Sequence, residues 1–195
     1  MLHNPQKEQT NLRIYGFASE SIVDGPGIRV VVFVQGCQHA CIGCHNPDSW
    51  DPAGGQEYTP RDIVRKIKTA TGRTQVGLPA ARASKKALSR DIRGVTFSGG
   101  EPFMQAQGLC EVGRAVKRMG LDIATYTGNT YEELITRDDA DVQALLDISD
   151  YLIDGAYVHE LRDISLKFRG STNQRVIDMN ATRKVGQVVL WGAVV

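Results

Sequence analysis

No stretch of the 195-residue chain holds the roughly 18 consecutive apolar residues that a membrane-spanning helix needs, so no membrane span is expected. An excess of one charge is missing too. Lys and Arg total 23 against 22 Asp and Glu, a formal +1, and no global field gathers nucleic acid or an anionic membrane. Met1 to Asn11 lacks the apolar core of a secretory signal and reads as a loose N-terminal arm, which points to the cytoplasm. Cysteine is scarce, with four residues, and in that compartment closely spaced thiols read as metal ligands rather than disulfides. Neither an internal repeat nor a long linker divides the chain, so one domain over 1–195 is expected.

What is present alternates between two periods. Leu12 to Phe17 reads as a short strand, and Asp24-Gly25-Pro26-Gly27 as a dense turn signal. Ile28 to Val34 is a nearly continuous β-branched and apolar run, the pattern of a strand buried on both faces in a parallel sheet covered by helices. Thr59-Pro60-Arg61-Asp62 opens a helix: Thr59 can cap it, Pro60 suits its first turn and Asp62 sits at the reciprocal capping position. Further strands are expected at Gly94–Phe97, Leu121–Tyr126 and Tyr151–Ile153, and a terminal one at Val188–Val195. Helices are expected over about 105–119, around Leu134 and Ile135, and around Val142 to Leu146. The alternation argues for α/β with a largely parallel sheet. The stretch 72–93 is strongly basic and reads as a solvated excursion or as a docking surface for an acidic partner.

Three of the four cysteines stand as Cys37-x3-Cys41-x2-Cys44, just past the carboxyl end of the Ile28–Val34 strand, where ligands of α/β folds usually sit. Three thiolates suit a four-iron cluster with one iron left open, or zinc with His39 or His45 as a fourth ligand. A second motif, Ser98-Gly99-Gly100-Glu101-Pro102, also follows a strand and should face the same rim. Its two glycines remove side chains where something must come close, and Glu101 offers an acceptor to a cationic amine. Cys110 lies within a helix, away from its apolar side, and is not paired with the motif.

Cys37-x3-Cys41-x2-Cys44 followed by Gly99-Gly100-Glu101-Pro102 resembles the radical S-adenosylmethionine superfamily. Asp24-Gly25-Pro26-Gly27-Ile28-Arg29, Gln35-Gly36-Cys37 and Cys44-His45-Asn46-Pro47-Asp48-Ser49-Trp50 narrow the resemblance to its glycyl-radical-enzyme activases. Leu161-Arg162-Asp163 and Ser165 to Arg175 are similar to the branch that activates anaerobic ribonucleoside-triphosphate reductase.

The resemblance implies a partial (β/α)6 barrel with a largely parallel sheet. It implies Cys37, Cys41 and Cys44 as ligands of one [4Fe-4S] cluster, and S-adenosylmethionine held by Gly43, Cys44, His45, Gly99, Gly100 and Glu101, with Asp154 at the same rim. The partner it implies is a glycyl radical enzyme, the reductase or alternatively pyruvate formate-lyase, with a flavodoxin or ferredoxin as low-potential electron donor. His45 also reads as a loop hydrogen-bonding residue, and Asp154 as a turn residue. A non-enzymatic iron–sulfur electron carrier and a zinc-stabilised interaction module are the competing classes.

Overall fold

The computed structural model describes residues 10–72 and 91–192. Its elements in chain order are β1 (Leu12–Ser21), β2 (Ile28–Val34), β3 (Gln56–Tyr58), α1 (Pro60–Ala70), β4 (Ile92–Gly99), α2 (Ala106–Arg118), β5 (Asp122–Tyr126), α3 (Tyr131–Ile135), α4 (Ala140–Ile148), β6 (Tyr151–Asp154), β7 (Arg175–Asp178) and α5 (Met179–Val185). Among the described residues no helix is long and apolar enough to cross a membrane.

The strands form one seven-stranded sheet in the order β3-β1-β2-β4-β5-β6-β7. Its centre, β2-β4-β5-β6, is parallel, as the alternation of strands and helices requires. β1 and β3 join one edge antiparallel, and β7 joins the other. The α/β expectation with a largely parallel centre therefore holds. The strands are laid out as an open sheet with antiparallel edges, and only four of them follow the parallel pattern that a (β/α)6 arrangement repeats.

Pleating separates the two faces. Val30, Val32 and Val34 of β2, Val95 and Phe97 of β4, Ile123 of β5 and Leu152 of β6 pack with α1, α2 and α4 in the main core. The alternate residues Ala124, Tyr151, Ile153 and Val176 pack with Tyr126, Phe168 and Trp191 on the other face. On β2 the alternate residues Arg29 and Val31 are also fully buried, so Ile28–Val34 is buried on both sides.

α1 starts as its sequence dictates, with Thr59 and Asp62 forming a reciprocal capping box. Cys110 departs from expectation. α2 packs against both α1 and α4, so it buries more than one stripe, and Cys110 is 1% exposed within the core. The terminal strand at 188–195 is reduced to a single bridge, Leu190 to Ile177, with residues 193–195 outside the described chain. The basic excursion also falls mostly outside it, at 73–90. Its last residues belong to β4, where Arg93 pairs with Asp122 at 2.9 Å.

Candidate metal and cofactor site

The carboxyl ends of β2, β4 and β5 meet at one cavity of about 910 Å³. Cys37, Cys41, Cys44 and His45 line it from the first connection, Ser98, Gly99, Gly100 and Glu101 from the second, and Tyr126, Thr127 and Gly128 from the third. Asp24 and Phe33 line it lower down, and residues 164–170 with Gln174 line another wall.

The cysteine loop returns to the strand it left. Gly36 N–H donates to the Ser49 carbonyl at 2.7 Å and Cys37 N–H to the Trp50 carbonyl at 3.0 Å. The Gln35 amide donates to the carbonyls of Asp48 at 2.9 Å and Asp51 at 2.7 Å. Backbone donors turn toward each sulfur: those of His39 and Ala40 toward Cys37, that of Tyr157 toward Cys41, and Asn46 N–H toward Cys44 Sγ at 3.4 Å. Burial pushes the Cys37 and Cys41 thiols up, against the pull of these donors. Donors aimed at sulfur favour the thiolate that an iron–sulfur cluster takes up, so the residues fit such a group.

A mononuclear zinc site fits less well. It asks four donors to meet about 2.3 Å or less from one point. His39 is already bonded to Glu101, and His45 lies against Tyr157 with ring centroids 6.0 Å apart.

The glycines of the second motif are required by close approach of chain to chain. Gly99 has φ +97°, and a Cβ there would lie 2.6 Å from backbone atoms of Val34. A Cβ on Gly100 would lie 2.2 Å from the Gly36 carbonyl oxygen. The N–H groups of Gly100 and Glu101 donate to Val34 and Gly36 at 2.7 Å each, so β4 is bonded to the root of the cysteine loop. Glu101 is 1% exposed. Its Oε1 accepts from Phe103 N–H at 3.0 Å, and its Oε2 from His39 Nε2 at 3.0 Å, Thr127 Oγ1 at 3.0 Å and Gly128 N–H at 2.9 Å. Both oxygens are occupied within the chain, where the sequence led us to expect a free acceptor. The bond to Glu101 raises the His39 pKa.

Residues 23–177 match the family described as a 4Fe-4S single cluster domain. The chain belongs to that family. Relatives of this 4Fe-4S protein include the pyruvate formate-lyase-activating enzyme of Clostridium pasteurianum, 38% identical over 147 residues, which are 73% of this chain and 55% of that protein. They also include the anaerobic ribonucleoside-triphosphate reductase-activating proteins of Vibrio cholerae, 37% identical over 158 residues (78% and 89%), and Salmonella typhimurium, 31% identical over 170 residues (85% and 97%). The chain spans 55% to 65% of the length of the pyruvate formate-lyase-activating relatives. These relatives put the family member among the glycyl-radical-enzyme activases of the radical S-adenosylmethionine superfamily. Among solved structures, QueE from Escherichia coli is similar at a TM-score of 0.41 and 16% identity, over 62% of this chain and 53% of that one, too distant to bear on fold or site.

Two residues expected at the site stand apart from the cavity wall. Gly43, with φ +75°, faces the β6–β7 connection, and a Cβ there would lie 2.6 Å from His159 Nδ1. Asp154, 1% exposed, accepts from Tyr131 N–H at 2.8 Å and is paired with Arg175. It joins β6 to α3 and β7, and its neighbour Gly155 lines the cavity instead. Thr127 and Gly128, which follow β5, are not among the site residues expected from sequence. Their position after a strand in parallel with the two motif-bearing ones is the signal that could have drawn attention to them. Tyr157 has no local signal; it reaches the cysteine loop only through the fold.

Proposed function

We propose that this chain installs a glycyl radical on a partner enzyme, and that the partner is the anaerobic ribonucleoside-triphosphate reductase. The observation that carries the proposal is the meeting of Cys37, Cys41, Cys44 and the Gly99–Gly100 turn in one cavity large enough for a nucleoside-sized ligand. In this reading Cys37, Cys41 and Cys44 would hold a [4Fe-4S] cluster, and Gly99, Gly100 and His45 would help to hold S-adenosylmethionine in the same cavity. A cluster held there would supply the electron for reductive cleavage of S-adenosylmethionine to methionine and a 5′-deoxyadenosyl radical, the species needed to take a Cα hydrogen from a partner glycine.

The chain's own residues do the rest. The Gly36–Glu101 and Val34–Gly100 bonds fix the distance between the cysteine loop and the turn. Tyr126, whose pKa burial raises, donates to the Phe168 carbonyl at 2.8 Å and ties the far wall to β5. That wall supports the choice of partner, because Ser165 to Arg175 carries the resemblance to the reductase-activating branch and Arg169, Gly170 and Gln174 of that segment line the cavity. We place the protein in the cytoplasm as one domain, served by a flavodoxin or ferredoxin. The 38% identity to a pyruvate formate-lyase-activating enzyme favours a second reading, in which the chemistry is the same and pyruvate formate-lyase is the partner.

The test mixes reduced, cluster-loaded protein and S-adenosylmethionine with each candidate enzyme without oxygen. Electron paramagnetic resonance is expected to show a glycyl radical on the reductase, and Cys41→Ala is expected to give none. A radical on pyruvate formate-lyase alone selects the second reading. Bound iron without S-adenosylmethionine cleavage points to an electron carrier.

A further inference from the structure

We propose that His39 is a positioning residue that locks the Cys37–Cys41 spacer onto the tips of β4 and β5, and so sets where the Cys37 and Cys41 sulfurs stand relative to the Gly99–Gly100 turn. The inference rests on the cluster-binding reading above. Three observations converge on it. First, His39 Nε2 donates to Glu101 Oε2 at 3.0 Å, and that same oxygen accepts from Thr127 Oγ1 and Gly128 N–H. One buried carboxylate oxygen of the second connection thereby gathers donors from the first and the third. Second, the imidazole lies against Gly128 so closely that a Cβ there would be 2.5 Å from His39 Cδ2. Third, the next residue, Ala40, is held at φ +45°, a left-handed conformation that a residue with a Cβ adopts only when its surroundings impose it.

The spacer between the first two thiols therefore has a strained backbone and one side-chain anchor. The anchor is local in its consequences. Without the imidazole, Glu101 keeps Phe103 N–H, Thr127 Oγ1 and Gly128 N–H, so no buried charge is left bare and the sheet keeps its bonds. What is lost is the fixed position of the spacer. Partners behind the ligands of a metal site act in this way, and removing one typically costs 10- to 100-fold in metal affinity or activity.

The experiment compares wild type, His39→Ala, His39→Gln and Gly128→Ala. Each is measured for thermal unfolding of the iron-free protein, for the rate of iron loss from the reconstituted cluster to a chelator, and for the midpoint potential of the cluster. In His39→Ala the iron-free protein is expected to unfold as wild type does, while iron loss accelerates about tenfold or more and the potential shifts. His39→Gln, whose amide can still donate to Glu101, should recover most of the difference. Gly128→Ala keeps the imidazole in the chain but drives the ring, and with it the Nε2 bond to Glu101, from its place, and should resemble His39→Ala. Wild-type iron retention and potential in both His39→Ala and Gly128→Ala would overturn the positioning role alone. So would a glutamine variant no better than alanine. A wild-type protein that takes up no four-iron cluster overturns the cluster-binding reading, and the positioning role with it. Should His39→Ala fail to fold, the glutamine and Gly128 variants decide the matter by the same measurements.

Discussion

The amino ends and the carboxyl ends of the parallel strands are both bound together by a buried charge, and the two ends use it differently. At the amino ends Arg29 is fully buried. It donates to the Pro26 carbonyl at 2.9 Å, Thr96 Oγ1 at 2.7 Å, the Val95 carbonyl at 2.9 Å and Asp122 Oδ1 at 2.6 Å. Burial lowers its pKa and Asp122 opposes the shift. Asp122 also receives Arg93, which reaches on to the Tyr151 hydroxyl, so one network crosses β2, β4, β5 and β6. At the carboxyl ends Glu101 plays the corresponding part, but its partners belong to loops that face the cavity. Gly36, Gly99 and Gly155 take positive φ among those loops, as do Ala40 and Gly43. An ion pair with a buried arginine joins strands at one end; at the other a buried carboxylate joins the loops that line the cavity.

The largest expected break in that contrast is at Arg29. Arg29→Met leaves the Pro26 and Val95 carbonyls and Thr96 without their buried donor, while Asp122 keeps Arg93, and losing these buried bonds costs about 3 kcal/mol. Denaturant unfolding of the iron-free protein should show that loss. The electron paramagnetic resonance spectrum of the loaded, reduced cluster should match wild type, because none of the Arg29 bonds reaches the cysteine loop. A shifted spectrum with unchanged stability would show that the two ends are coupled in the opposite sense.

The amino-end network explains part of what the sequence conceals. Asp24-Gly25-Pro26-Gly27-Ile28-Arg29 belongs to the resemblance, yet in the fold it folds the turn back over Arg29, and only Asp24 reaches the cavity. Signals that are local were legible. The apolar run Ile28–Val34 and the capping box at Thr59 emerge where the sequence puts them, because a run of β-branched residues and a three-residue capping distance need no tertiary context. β3 and β7, with three and four residues, are too short to show a period and exist only because an edge was open to receive them. The bond from His39 to Glu101 joins residues 62 positions apart, and nothing near either residue foretells it. The cysteine and glycine motifs announced a site; the bonds that hold the two together had to come from the fold.

A smaller effect sharpens the amino-end role at β6. Burial pushes the Asp150 carboxyl up, but Lys117, the Ile123 N–H and the Asn180 amide outweigh it and hold the carboxyl below its usual range. A carboxylate whose pKa is depressed in the folded state adds stability that is fully present above the unfolded value of about 3.9 and is lost as pH falls through the folded value. Asp150→Asn should therefore cost on the order of 2 kcal/mol at pH 7. The gap between variant and wild type should close as the pH drops below about 4. A gap that stays constant across that range would assign the loss to packing rather than to charge.

The smallest effect separates the fourth cysteine from the other three. Cys110 is 1% exposed in the core beneath α4, its Sγ is 3.6 Å from the Asp141 carbonyl, and burial pushes its thiol up to about 11. It is protonated at neutral pH and distant in kind from the part-exposed thiols of the cavity, which have backbone donors turned toward them. Cys110→Ala removes one buried sulfur from a tightly packed helix, a truncation of the size that costs about 1 kcal/mol. For a chain of this length that corresponds to a fall of roughly 2–4 °C in melting temperature. Iron and sulfide content, and cleavage of S-adenosylmethionine, are expected to remain at wild-type values. Loss of the cluster in this variant would mean that the core behind β4 and β5, and not the loop alone, determines where the thiols of the cavity stand.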